Sequence, residues 1–531
     1  MMSRRHLTAT TVGLSLLLLV ATSGSSSASA FSNSLSRGAI KAGGTLTVAL
    51  AEDPDKLDPT LGRSLVGREV FANFCEKLYD INAQLRIVPQ LAATLPRVSP
   101  NGKTVTIKLR SGIKFNDGTP FDASAVKTTL DRDLTLSGSA RAVEIKPVTK
   151  VTVLSPTMVQ LTLSSPYAPL TAALADRAGM IMSPTQLGKL GADFGTNPIC
   201  VGPFSFVSRT TGTQIVLKKS TDYYDASKVN LDQVIFKIIT DSNVRVANLK
   251  SGDVNVAERL APTDIAGVKS NKKLSLISVA SIGYQGLTIN IGNTNGVGNP
   301  VGKVNTALGS SPALRQAFAD ALDRDVINKV VFSGFYQPVC SPIPARSPFS
   351  DKQPCPKRDL ATAKKLVAAS GVATPIPVSM VIGTSPDQAR FGEVIQALEK
   401  EAGFNVQLMP TEFASSLNQT DAGKFDVFAI GWSGRVDPDG NIYNFMHTGG
   451  ALNIGGLSNP VIDKALEDSR VTSRLATRKK DFATALAEQA KENSLIYLYT
   501  QQLYLGIGKN VRGLVYYGDG LPRLKTAGLT K

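Results

Sequence analysis

Val378-Ser379-Met380-Val381-Ile382 is a short apolar run, a helical stretch over residues 386–402 follows, Gly403 stops it, and Phe404-Asn405-Val406-Gln407-Leu408-Met409 returns to strand character. Glycine suits the left-handed conformation in which many helices end. Strand, helix and strand in that order imply parallel pairing through a right-handed crossover, because a strand feeding a helix packs back onto its sheet in that hand. A helix over 359–369 ending at Gly371 precedes this unit. After a further short helix, Phe425-Asp426-Val427-Phe428-Ala429-Ile430 reads as one more buried strand. This part of the chain is α/β.

In such a sheet, ligands bind beyond the carboxyl ends of the strands. The stretch in that place is Gly431-Trp432-Ser433-Gly434-Arg435-Val436-Asp437-Pro438-Asp439-Gly440, with the only tryptophan of the chain, one cation and two carboxylates. The candidate ligand-binding residues are Trp432, Ser433, Gly434, Arg435, Asp437, Asp439 and Asn441, followed by Tyr443, Asn444 and His447. The competing reading is a surface turn with a packing Trp, in which Arg435 pairs with Asp437 or Asp439 and shapes the loop.

The chain's 531 residues exceed what one hydrophobic core supports, and 42% hydrophobic with 19% charged residues is a soluble globular balance. The net charge of +16 is scattered, without a Lys/Arg cluster interleaved with aromatics, so a solvated basic surface is expected and nucleic acid is not. Residues 1–30 read as an export signal: Arg4, Arg5 and His6, an apolar stretch from Val12 to Ala21, and Ala28-Ser29-Ala30 before Phe31. Ser3-Arg4-Arg5-His6-Leu7 also fits a twin-arginine signal. The first cysteine is Cys75, so no lipid anchor is expected, and a periplasmic location follows. Four cysteines in an exported chain favour two disulfides. Cys340 and Cys355 bracket a Pro/Ser-rich loop whose closure is worth about 3 kcal/mol in the chain-entropy picture, which leaves Cys75 for Cys200.

Catalytic and cofactor chemistry has little support. His447 is the only histidine beyond the export signal, and no nucleophile elbow accompanies it. Asp437-Pro438-Asp439-Gly440-Asn441 departs from a calcium loop in the place of its glycine and in lacking a closing Glu. Gly296-Val297-Gly298-Asn299-Pro300 lacks the helix of a dinucleotide site. No metal and no cofactor are expected, and a secreted hydrolase is the disfavoured alternative.

The first half begins with a flexible segment at 31–43 and a strand, Gly44-Thr45-Leu46-Thr47-Val48-Ala49-Leu50. Val66, Val70, Phe71, Phe74 and Leu78 recur at helical spacing. Between about 78 and 200 the strands are short, alternating and linked by Pro/Gly turns, Thr104 to Leu109 being one. Then comes Lys114-Phe115-Asn116-Asp117-Gly118-Thr119-Pro120-Phe121-Asp122-Ala123-Ser124-Ala125-Val126-Lys127, with Asp122 placed to cap a helix. This stretch resembles a motif of the family-5 extracellular solute-binding proteins, the peptide/nickel-type receptors of ABC importers. Three further stretches resemble the family in order: Asn197-Pro198-Ile199-Cys200-Val201-Gly202-Pro203-Phe204, Leu249-Lys250-Ser251-Gly252-Asp253-Val254, and Leu314-Arg315-Gln316-Ala317-Phe318-Ala319-Asp320-Ala321-Leu322-Asp323-Arg324.

The resemblance, over about residues 43–515, implies a two-lobed periplasmic-binding-protein type II-like fold with an additional mostly β subdomain in the first lobe. Lobe I is expected at 44–282, with the β-rich part at about 78–200, lobe II at 283–495, and a return to lobe I at 496–531. It implies capture of a small polar solute by hinge closure, with the permease subunits of an inner-membrane ABC transporter as partners of a monomer. Tyr284, just before Gly286-Leu287-Thr288-Ile289-Asn290, joins the candidate ligand-binding residues on this resemblance, which implies a hinge near it. Ligand classes are short peptides or peptide-like compounds with a carboxylate, then amino-acid conjugates, then a nickel-type metal chelate. A sensor or chaperone on the same fold is a further alternative. In the peptide-binding members an Asp stands three residues after this Trp and pairs with the ligand's ammonium group. Here that position is Arg435, whose planar fork suits a carboxylate instead.

Overall fold

The computed structural model describes residues 39–352 and 354–530. The expected export signal at 1–30 and residues 31–38 of the flexible segment lie outside them.

Two sheets organise the chain. Thr45–Leu50 alternates into the core, and its parallel neighbours are Gln233–Ile238, in register from Thr45 opposite Gln233, and Val256–Ala257. Around this centre a seven-stranded sheet extends through antiparallel neighbours, to Gln214–Lys219 and Phe204–Thr210 on one side and to Gln502–Gly508 and Leu274–Ala280 on the other. The second sheet has six strands, in the order Gln337–Pro338, Leu495–Thr500, Tyr284–Ile289, Val427–Trp432, Ile376–Ile382 and Phe404–Pro410. Ile376–Ile382 is parallel to both its neighbours, as the strand–helix–strand pattern requires.

The helix inside that pattern, Pro386–Ala402, has the bounds its sequence indicates. Ser385 caps it by accepting from the Gln388 N–H, Pro386 stands in its first turn, and Gly403 ends it at φ 104°. Its inner face buries Phe391, Ile395 and Leu398 in a core that includes Phe318 and Phe404. At about 2 kcal/mol for each large side chain removed from water, that face holds the helix more firmly than its caps do.

A separate four-stranded antiparallel sheet, Arg97–Val98, Thr104–Lys108, Met158–Leu163 and Val148–Ser155, is backed by the helix Ala123–Thr135. Asp122 caps that helix, accepting from Ser124 and Ala125. Val105, Ile107, Val159 and Leu161 turn inward from the sheet while Leu154 stays exposed, the alternation of a one-sided sheet.

The chain passes between the two large sheets at 281–283 and again at 501. Leu495–Thr500, expected to begin the return to the first lobe, instead pairs with Tyr284–Ile289 and Gln337–Pro338 in the second sheet. The return starts one strand later, where Gln502–Gly508 pairs with Leu274–Ala280. An apolar run suits a buried strand in either sheet, so composition did not separate them. The crossings are tied together: the Ser281 N–H donates to the Gln501 carbonyl at 3.0 Å, and the Thr500 hydroxyl donates to the Gly283 carbonyl at 2.8 Å. Gly283 admits no side chain, since a Cβ there would stand 2.1 Å from the Trp432 carbonyl oxygen.

Both expected disulfides are present. Cys75–Cys200 has its Cα atoms 4.8 Å apart, and Cys340–Cys355 has them 5.4 Å apart. Among the described residues no helix is long and apolar enough to cross a membrane.

Candidate functional site

The strand expected at 425–430 runs over Val427–Trp432, so Trp432 closes the strand and does not open the loop. The chain then turns at Gly434, whose φ of +82° excludes most side chains, and whose Cβ would lie 2.3 Å from the Ile282 carbonyl oxygen. Asn441, fully buried in the helix Asp439–Met446, fixes the next residue from both sides. Its Oδ1 accepts from the Arg435 N–H at 2.6 Å and its Nδ2 donates to the Arg435 carbonyl at 3.1 Å. Asn441 therefore shapes the loop backbone.

The two loop carboxylates are each taken by an arginine of the same lobe. Asp437 accepts from Arg478 Nη1 and Nη2 at 2.8 and 2.7 Å, and that guanidinium lies against the rings of Phe349 and Phe482. Asp439 accepts from Arg470 Nε and Nη2 at 2.7 and 3.0 Å. Arg470 in turn covers the Tyr443 ring. Neither carboxylate is the partner of Arg435.

Arg435 points to the other lobe. Its Nε pairs with Asp176, which precedes the short turn of helix Arg177–Gly179, while the guanidinium lies 4.4 Å from the centre of the Trp432 ring. Asp176 also accepts from Arg68 Nε at 3.1 Å and pairs with Arg68 Nη2 at 3.0 Å. Arg68 Nη1 donates to the Ser433 hydroxyl at 3.0 Å. Burial alone would raise the Asp176 carboxyl, but Arg435, Arg68 and Arg177 hold it well below the usual range. Burial and the like charge of Arg68 bring Arg435 down to about 10, against the pull of Asp176. Burial also raises Asp439, with Arg470 opposing.

Between these groups lies a recess of about 520 Å³, the open solvent at its mouth included, lined by Glu144, Tyr167, Asp176, Trp432, Arg435, Asn444 and Arg470 among others. Besides Asp176 Oδ2, which is met only by its ion pairs with Arg68 and Arg435, three polar atoms on its walls are buried without a hydrogen-bond partner among the described residues: Arg435 Nη2, Trp432 Nε1 and Asn444 Oδ1. Two donors and one acceptor in a buried position are costly unless something polar meets them. The arrangement is a polar recess in which the guanidiniums of Arg435 and Arg470 stand among the carboxylates of Glu144, Asp176, Asp437 and Asp439.

Residues 86–453 match the bacterial extracellular solute-binding proteins, family 5 middle. The chain belongs to that family. Its role is accordingly that of a substrate-binding receptor of an ABC importer, on a two-lobed fold. Among its curated relatives, the glutathione-binding protein GsiB of Pectobacterium atrosepticum is 25% identical over 499 residues, covering 91% of this chain and 94% of the relative. The solved structure of the binding protein AgaA from Agrobacterium tumefaciens, in complex with agropinic acid, is 26% identical with a TM-score of 0.81, covering 92% of this chain and 99% of AgaA. The periplasmic binding protein DppA of Helicobacter pylori, in complex with the peptide STSA, shares the fold with a TM-score of 0.83 at 21% identity, covering 92% and 99% of the two chains.

Of the sequence candidates in this solute-binding protein, Trp432, Arg435, Asp437, Asp439 and Asn444 line the recess, whereas Ser433, Gly434, Asn441, Tyr443, Tyr284 and His447 do not. Tyr284 stands opposite Trp432 across the paired strands, but its ring is buried edge-on against Tyr497, 4.8 Å between centres, inside the second lobe. His447 stacks on Tyr443 and its Nε2 lies 3.2 Å from Glu467, whose carboxyl the imidazole holds down at about 2. That is a surface pair. Asp176, Arg68, Tyr167 and Arg470 were not among the sequence candidates. They meet the loop only through the fold, and no local spacing marks them.

Proposed function

We propose that the solute is a small amino-acid-derived compound, peptide-like or conjugated, that presents at least one carboxylate to Arg435. The observation that carries this is the buried, unpartnered Nη2 of Arg435, whose partner Asp176 is shared with Arg68 and lies beside Arg177. A guanidinium edge of that kind binds a carboxylate oxygen by a charge-assisted hydrogen bond worth about 1.5–3 kcal/mol. The relatives named for glutathione or solved with agropinic acid support the same class. Trp432 supplies an apolar wall with an indole N–H, and Asn444 an acceptor for an amide or ammonium hydrogen.

In this reading residues 1–30 export the chain to the periplasm, where it works as a monomer. Solute shifts it toward the closed form, and that form presents both lobes to the permease subunits. It performs no chemistry on the solute. The test is mass spectrometry of the compound released by denaturing the natively purified protein, then calorimetric titration with that compound and with glutathione. A carboxylate-bearing compound recovered chemically unchanged is expected. A tight ligand with no acid group would refute the reading.

A further inference from the structure

We infer that this chain carries its own closure latch, in which Asp176 of one lobe engages the Nε side of Arg435 of the other, the same guanidinium that a solute's acid group would approach at Nη2. Four polar contacts join the lobes through the protein's own groups, beside the contact of Arg470 with the Tyr167 ring at 5.2 Å. Arg435 meets Asp176, and Arg68 donates to Ser433 at 3.0 Å. The Ala168 N–H donates to the Arg470 carbonyl at 2.8 Å. Away from the recess, Arg63 Nη1 and Nη2 donate to the two oxygens of Asp421 at 2.7 and 3.4 Å. Arg63 precedes the first helix of lobe I, and Asp421 ends the helix Phe413–Asp421 of lobe II.

The two ion pairs differ in solvent access, which gives the latch a salt dependence. The side chains of Arg63 and Asp421 are 31% and 28% exposed, against 11% and 7% for Arg435 and Asp176. Charges near the surface are screened over about 8 Å at physiological ionic strength, and buried ones much less. The outer pair therefore weakens first as salt rises, while the inner pair holds. Asp176 is also an internal competitor: an acid group arriving at Arg435 must share it with Asp176, which Arg68 keeps in place. Only the Nη2 edge of Arg435 is left to the newcomer. That competition rests on the proposed solute class; the latch itself does not.

The test uses small-angle scattering on mature protein stripped of solute by unfolding, dialysis and refolding, so an error in the solute class leaves its result unaffected. Wild type should be compact at about 20 mM salt and expand toward about 0.5 M. Asp176→Asn and Asp421→Asn should each be expanded already at low salt, since losing the buried pair shifts a closed-to-open ratio by about tenfold or more and losing the more exposed one by about twofold to fivefold. Circular dichroism checks folding. If Asp176→Asn does not fold, Asp421→Asn, which touches neither recess nor core, decides alone. A wild type that is expanded at low salt, or variants as compact as it, would overturn the latch.

Discussion

Replacing Asp437 by Asn should cost more than a loop position ordinarily does. The Arg478 and Asp437 side chains are only 5% and 15% exposed, and two hydrogen bonds join them. Without the carboxylate, the guanidinium keeps the Ser469 carbonyl at 2.9 Å, the faces of Phe349 and Phe482, and the more distant charge of Asp439, which Arg470 already pairs. Those contacts exist in both proteins, so they do not offset the loss. Removing one partner of a buried pair costs about 3–5 kcal/mol; with Asp437 slightly open to solvent, about 3 kcal/mol is expected. The double variant Asp437→Asn/Arg478→Met removes the stranded charge and should recover most of this, giving a coupling energy of about 2–3 kcal/mol. Urea unfolding of the wild type, both single variants and the double closes the cycle. Additive single effects, or a loss below about 1 kcal/mol for Asp437→Asn, would refute the claim that this carboxylate serves Arg478.

Two further outcomes are expected. Burial holds the Asp133 carboxyl at about 8 in the folded protein, against 3.8 as its ordinary value, with the Thr60 hydroxyl opposing. The folded state then binds this proton more tightly, so its contribution is fully present below about pH 4 and is lost as pH rises through about 8, by at most about 1.4 kcal/mol per pH unit. Asp133→Asn should flatten that slope, and parallel stability profiles for the two proteins would count against a neutral Asp133. Cys75 and Cys200 are separated by 125 residues, so opening their disulfide should cost up to about 5 kcal/mol in the chain-entropy picture. Unreduced peptide maps should show both linked pairs, and thermal melting of Cys75→Ala/Cys200→Ala should fall well below wild type.

Local signals carried the elements and stopped short of the site. Pro386, the run of helix formers and Gly403 mark the bounds of the helix Pro386–Ala402, and Asp122 caps its helix where its position indicated. The loop after Trp432 was legible as a candidate site because glycine, proline and charge end a buried strand there. Its wiring was not legible. The partners of Asp437 and Asp439 lie on helices 41 and 31 residues further on, and Asp176 reaches Arg435 from the other lobe. Ion pairs between distant segments leave no periodicity in a single chain. The same limit explains Tyr284, which the family resemblance brought near the crossing but whose side of the strand only the sheet register decides.

The crossings at 281–283 and 501 have a mechanical consequence. A single connecting strand lets two bodies both bend and twist about it. Two strands bonded to each other, Ser281 to Gln501 and Thr500 to Gly283, define an axis and resist torsion. Gly283 sits against the Trp432 carbonyl and Gly434 against that of Ile282, so the axis runs directly beneath the loop that carries Arg435. Groups close to an axle travel short arcs, and those far from it travel long ones. Arg435 would therefore arrive at Asp176 along nearly the same path at every swing, leaving the outer rim of the lobes to carry most of the displacement that a membrane partner detects.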